Sequence, residues 1–211
     1  MSRPKTRQRI LDASLELFNS HGEGNVTTNE IANELDMSPG NLHYHFKRKR
    51  DIVTTLFSAF HKAMEEVLVD PGDRSLELED LWFYLHLVFE TIGQYRFIYR
   101  DVNDLLHRHE TLQGPFSRLL VQQRASASAI CNALQLGGIM EIDELDKLTL
   151  VNHILMTITF WIPFSEIDSS GHGRSAALPG RAIYQVISLA IPYLREPERQ
   201  LARQLALSYM E

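Results

Sequence analysis

Two very short amphipathic segments separated by three residues constrain this chain more than any other feature. Thr27 and Thr28 precede Glu30, Ile31, Ala32 and Leu35, and Glu30 stands three residues after Thr27, the spacing of a capping box at a helix start. Asp36-Met37-Ser38 interrupts the pattern, Pro39 follows as a helix-opening residue, and Asn41 to Phe46 supply another very short helix. Upstream, Ile10, Leu11, Ser14, Leu17 and Phe18 fall at helical spacing, and Gly22 and Gly24 end that run. A short helix, a three-residue turn and a second short helix form the helix-turn-helix, whose second helix enters the DNA major groove by its N-terminal half.

The rest of the pattern is helical too. Ile52, Leu56, Phe60, Met64 and Val67/Leu68 mark a long amphipathic helix from Lys49, stopped by Asp70-Pro71-Gly72-Asp73. Helical spacing then continues over Leu78 to Gly93, Phe97 to His107, Phe116 to Leu136, Glu144 to Ile162, Leu178 to Leu194 and Pro197 to Met210. Gly137-Gly138, Ser169 to Gly173 and Pro179-Gly180 punctuate these segments, and strand-type alternation is absent. The expected fold is all-α, with about nine or ten helices. A helix-turn-helix head over 1–50 and a larger body over 51–211 are expected, joined by a linking helix from about 49 to 68.

Charge separates the same two regions. The whole chain carries 21 Lys/Arg against 27 Asp/Glu, which excludes a protein basic throughout. The first fifty residues nevertheless hold eight Lys/Arg against six Asp/Glu, with Arg3, Lys5, Arg7 and Arg9 at one end and Lys47, Arg48, Lys49 and Arg50 at the other. Basic clusters bracketing a compact unit suit a phosphate-facing edge, although short basic runs are ordinarily solvated surface. One cysteine, Cys131, forms no internal disulfide, and the start leads into no signal-peptide apolar core, so the expected compartment is the cytoplasm. No unbroken apolar run reaches the roughly eighteen residues of a membrane span.

The residues Thr28, Ile31-Ala32, Leu35, Met37-Ser38, Gly40, Leu42, Tyr44-His45-Phe46 and Lys49, at their spacing, resemble the N-terminal domain of the TetR family of bacterial transcription regulators. The resemblance covers about a quarter of the chain. It implies a three-helix DNA-binding head, a body that dimerises and commonly holds a small effector, and a long fourth helix between them. It also implies that the last two body helices, here about 148–162 and 178–194, pair with their mates across a two-fold axis. Two departures stand out: His43 replaces the family's common Tyr, and Arg48-Lys49-Arg50-Asp51 replaces its Ser- or Asn-Lys-Glu sequence.

Chemistry assigns roles within the motif. Asn41 and His43 can donate to and accept from base edges, and Gly40 permits close backbone approach, so these three are the candidates for sequence readout. Thr28 and Ser38 either bind phosphate or simply cap their helices. Tyr44, His45 and Lys49 match positions that contact the DNA backbone in the resembled family. His43-x-His45 and His107-x-His109 lack the further ligands a metal site needs, so neither a metal nor a cofactor is expected.

Aromatic residues crowd the segment from Trp82 to Tyr99. Trp82, Tyr84, His86, Phe89, Tyr95, Tyr99, Arg100 and Phe160 are the candidate effector-binding residues, with core filling as the alternative for each aromatic. Ile154, Leu155, Ile158, Trp161 and Ile162, with Ile183, Val186, Ile187, Ala190 and Ile191, are the candidate dimer faces. The expected function is a repressor that leaves a palindromic operator when a small hydrophobic or aromatic effector binds. An effector-independent DNA-binding regulator and a helical enzyme with a concealed site are the alternatives.

Overall fold

The computed structural model describes residues 3–68, 70–168 and 179–207, and the Ser169 to Gly173 punctuation and residues 208–210 of the expected tail lie outside them. Eleven α-helices are present among the described residues: α1 Arg3–His21, α2 Thr28–Glu34, α3 Pro39–His45, α4 Lys49–Val67, α5 Leu78–Gln94, α6 Phe97–Arg100, α7 Val102–Arg108, α8 Gln113–Leu136, α9 Glu144–Asp168, α10 Pro179–Ala190 and α11 Glu198–Leu207. Short 3₁₀ turns at Glu23–Asn25, Glu110–Leu112 and Ile191–Tyr193 join some of them.

Local chemistry fixes the motif helices. Thr27 caps α2, its hydroxyl accepting from the Glu30 amide while the Glu30 carboxylate accepts from the Thr27 amide at 2.7 Å. At the other end of α2, Asp36 takes a left-handed φ of 50°. That turn lets the Met37 amide donate to the Ala32 carbonyl and the Asp36 amide to the Asn33 carbonyl, a paired termination in which Asp stands where Gly is commonest. Ser38 then caps α3, accepting from the Asn41 amide, with Pro39 in the first turn.

Three expected segments differ in their bounds. The segment 97–107 is broken at Asp101 into α6 and α7. The last body helix, expected over 178–194, is helical from Pro179 to Ala190 and then tightens into a 3₁₀ turn where Pro192 lacks a donor, with 178 outside the described residues. Helix α9 instead runs through Pro163 to Asp168, and the Ser165 hydroxyl donates to the Ile162 carbonyl beside the proline.

The packing divides the chain differently from the expected 1–50 and 51–211. One compact unit comprises 1–63 with 95–115, and the other comprises 64–94 with 116–211. In the first, Ile10, Phe18, Ile31, Ile52, Phe60 and Tyr99 are fully buried, so α6 and α7 belong to the same core as the motif. Asn19 at the end of α1 accepts from the Phe97 amide, and the Phe18 and Phe97 rings lie 5.4 Å apart. Periodicity along one helix does not say which core receives its buried face.

In the second unit, α10 packs against both α5 and α9, burying Leu85, Val88, Leu155, Ile158, Ile183, Val186 and Ile187. Most of the residues expected to meet a partner subunit are thus consumed inside the chain. Leu145, Leu148, Met156, Phe160, Phe164 and Ile167 of α9 remain exposed, so this helix is apolar on both its inner and its outer face. Helix α9 is long and apolar enough by composition for a membrane span, although it contains no unbroken apolar run of that length. Core helices of water-soluble proteins pass the same test.

Candidate nucleic-acid interface

Short helices α2 and α3 border an open cleft of about 670 Å³, lined by Thr28 and Asn29, by Pro39, Gly40 and His43, and by Lys47, Arg48 and Lys49. Four of the eight expected DNA-binding residues, Thr28, Gly40, His43 and Lys49, therefore meet on one wall system. Asn41 is exposed one residue further along α3, and Ser38 precedes it as the cap. Tyr44 is exposed beside His45, their rings edge to face at 5.3 Å.

The geometry refines individual roles. Thr27, not Thr28, caps α2, so the Thr28 hydroxyl is spared that duty at a helix N-terminus. A Cβ built on Gly40 meets nothing within 4 Å. The folded chain therefore sets no steric requirement for glycine there, and the position is open to solvent. Burial is absent from the opening of α3, whose only buried residue is Leu42, so its polar side chains face outward.

Lys49 departs most from expectation. Its ammonium donates to the Glu23 carbonyl at 2.7 Å and the Val26 carbonyl at 2.9 Å, and lies 2.9 Å from Glu23 Oε1. All three of its donors are engaged inward, so the exposed cations at the cleft are Lys47 and Arg48. The run 47–50 signalled positive charge, but which of four consecutive cations turns inward depends on Glu23, 26 residues away. Glu23 is nearly fully buried and also meets Arg108 Nη2 at 2.9 Å and His109 Nε2 at 3.3 Å. Burial pushes the Glu23 carboxyl up, but the Lys49 hydrogen bond and the charges of Lys49, His109 and Arg108 outweigh it and hold the group below its ordinary value. Neither Glu23 nor Arg108 was singled out in the sequence, and no local pattern joins residues so far apart. His109 was considered only as a metal ligand.

The eight expected effector residues do not converge. Tyr95 and Tyr99 pack on Phe60, and Arg100 donates to the Ser20 carbonyl, all within the first unit. The Trp82 and His86 rings meet at a tilt with centroids 4.0 Å apart, and Phe89 is buried in the core of the second unit. Phe160 stands exposed on the outer face of α9. Tyr84 alone of the eight lines the apolar cavity of the second unit, with Leu81, Leu85, Ile130, Cys131 and Ile187 among its other walls. That cavity measures about 30 Å³, room for about one water molecule.

A helix-turn-helix with an outward-facing second helix, capped at both motif helices and edged by exposed cations, is the architecture of a DNA-binding head. Comparison with known proteins narrows the class. Residues 10–56 match the model described as bacterial regulatory proteins of the tetR family, and residues 59–201 match the TetR model described as bacterial transcriptional repressor. The chain belongs to the TetR family of bacterial transcriptional regulators.

A TetR-family transcriptional regulator from Marinobacter aquaeolei VT8 is similar in structure, with 36% identity, a TM-score of 0.86 and coverage of 97% of this chain and 98% of that one. Among curated relatives, the HTH-type transcriptional regulator AcrR of Shigella flexneri is 28% identical over 97 residues, 44% of each chain. The probable HTH-type regulator YttP of Bacillus subtilis is 24% identical over 113 residues, 54% of each. The chain thus spans about half the length of the curated relatives it matches. CprB from Streptomyces coelicolor, solved with its operator sequence, shares the fold at 16% identity and a TM-score of 0.68.

Proposed function

We propose that this chain is a homodimeric repressor that holds a palindromic operator through paired α3 helices and releases it when a small apolar effector enters the second unit. The cleft between α2 and α3, with Gly40 open to an outside partner, carries the DNA half of this reading. Gly40, Asn41 and His43 read bases, while Thr28, Ser38, Tyr44 and His45, joined by Lys47 and Arg48, hold phosphates. Lys49 positions the motif from behind. The exposed apolar face of α9, with α10, supplies the dimer contact, which spaces two half-sites by about 34–36 Å or a multiple. A bacterial regulator of this kind works in the cytoplasm, where its DNA lies.

The effector half rests on the apolar cavity beside Tyr84. Relatives of the same fold include a Saccharomonospora viridis regulator solved with choline and SmeT solved with triclosan. A drug-sized molecule needs about 300 Å³ or more, so an effector opens the cavity of about 30 Å³ rather than filling a preformed one. That small volume also favours a second reading, an effector-independent regulator whose second unit only dimerises.

Selection of bound duplexes from a random DNA library tests the first half. A palindromic consensus supports the dimeric reader, and no enrichment by folded protein defeats it. Screening small apolar compounds for release of the selected duplex then separates the two readings: release by any of them supports the repressor, and saturable binding without release supports the effector-independent form.

A further inference from the structure

Glu23 and His109 lie 86 residues apart in sequence, yet their side chains meet in the first compact unit. Glu23 sits on the 3₁₀ turn that leads into α2, and Lys49 opens the helix that follows α3. One buried carboxylate thus ties the chain entering the helix-turn-helix to the chain leaving it. The other two cations on it, Arg108 and His109, come from the end of α7 and lie outside the motif. Arg108 is further held by Asp104 one turn earlier on α7.

Three features make this cluster more than ordinary packing. Gly24, Val26 and Lys49 each line the DNA-facing cleft, so a shift at the carboxylate moves the cleft wall directly. A Cβ on Gly24 would stand 2.7 Å from Arg108 Nη1, so the guanidinium packs closely against the turn that leads into α2. Removing either cation partner leaves a desolvated carboxylate to draw harder on Lys49, whose ammonium also holds the Glu23 and Val26 carbonyls.

We propose that Arg108, with His109, is a positioning residue for DNA binding: acting on Glu23 and through it on Lys49, it sets the spacing between the start of α2 and the end of α3. Arg108 touches no DNA in this arrangement. Its contribution appears as affinity for the target duplex without an added phosphate contact. Displacement of the α7 end from Glu23 lowers affinity by the same route.

The test uses the full chain and a duplex selected by the wild-type protein from random DNA, with affinities followed across salt concentration for chains whose folding is checked by circular dichroism. Arg108→Gln is expected to weaken binding about tenfold while leaving the slope of log affinity against log salt unchanged. Gly24→Ala keeps every charge and displaces the guanidinium, so it is expected to weaken binding similarly and to add little to Arg108→Gln in the double variant. Arg108→Lys restores part of the loss.

Unchanged affinity in Arg108→Gln, with only a lower melting temperature, would mean a purely structural cluster and overturn the proposal. A slope reduced by about 0.9 would mean that Arg108 itself contacts a phosphate, and overturns it equally. Full additivity of Gly24→Ala and Arg108→Gln places the two effects on separate routes and also counts against it. A wild-type chain that enriches no duplex defeats the DNA-face assignment and this proposal with it.

Discussion

The Tyr84 hydroxyl lies 3.1 Å from Ser126 Oγ, joining α5 to α8 beside the apolar cavity of the second unit. Burial pushes the Tyr84 phenol above its ordinary value of 10.0, against the smaller opposing effect of the Ser126 hydrogen bond. A raised phenol pKa means that the native state holds the proton more tightly than the unfolded chain. Its contribution is therefore complete below about pH 10 and lost as pH rises through the folded value. Tyr84→Phe is expected to cost about 1 kcal/mol at pH 7, since Ser126 loses a partner in a half-buried place. The same variant should lose less stability than wild type between pH 9 and 11, which urea titrations at several pH values would read.

Cys131, on the wall of the same cavity, has its thiol pushed up to about 11 by burial, with Lys147 opposing weakly. From an ordinary value of 9.0, that shift leaves the thiolate about a hundredfold rarer at neutral pH. Native protein should react with a disulfide reagent at least that much more slowly than the unfolded chain. The rate then reports on cavity opening: a compound that enters beside Tyr84 should change it, and one that binds elsewhere should leave it alone.

The motif was legible because its determinants are local. Thr27 and Glu30 are three residues apart, Ser38 precedes Pro39, and each pair meets in space as the spacing requires. Thr28, Gly40 and His43 border one cleft for the same reason. The expected effector residues do not gather at one place, because aromatic density along α5 to α6 says nothing about direction. Tyr99 turns to Phe60 in one core and Phe89 to another, so neighbours in sequence part company in space. The inward turn of Lys49 is not legible among its basic neighbours, because its partner Glu23 is distant in sequence.

That geometry separates three of the four cations at 47–50 experimentally. Lys47→Gln and Arg48→Gln should each flatten the salt dependence of DNA binding by about 0.9 in slope, as loss of one phosphate contact does. Lys49→Gln should lower the melting temperature and leave the slope nearly unchanged, because its ammonium is spent on Glu23 and two carbonyls. A slope change at Lys49 as large as at Lys47 would show that its inward bonds break on binding DNA.

Acid should weaken the first unit through Glu23. Its carboxyl is held below the ordinary 4.5, so its stabilising effect is present above that pH and disappears as pH falls through the folded value. Glu23→Gln is expected to cost about 2 kcal/mol at pH 7, less than for a wholly buried pair because Lys49 and Arg108 both reach solvent. The gap between wild type and variant should close as pH falls below 4.5 and through the folded value, which denaturant titrations at stepped pH would follow. A gap that stays constant with pH would mean that the charge on Glu23 is not what stabilises the turn.

Helix α9 supplies the remaining test, since its inner face is already satisfied by α10 while Leu145, Leu148, Met156, Phe160, Phe164 and Ile167 stay exposed. Met156, Phe160 and Phe164 recur at four-residue spacing, so they form one stripe rather than scattered surface apolar groups. Glutamate at two adjacent positions of such a stripe buries two unpaired carboxylates if the stripe meets its own copy, and costs nothing if it meets water. Met156→Glu with Phe160→Glu should therefore raise the dimer dissociation constant by about a hundredfold or more, seen by sedimentation across a concentration series. Val121→Glu, at a residue 67% exposed on α8, is the matched control and should leave the mass unchanged. Operator affinity should fall with the dimer in the double variant, because a lone head reads only one half-site. A double variant that sediments as wild type would place the dimer contact elsewhere or remove it altogether.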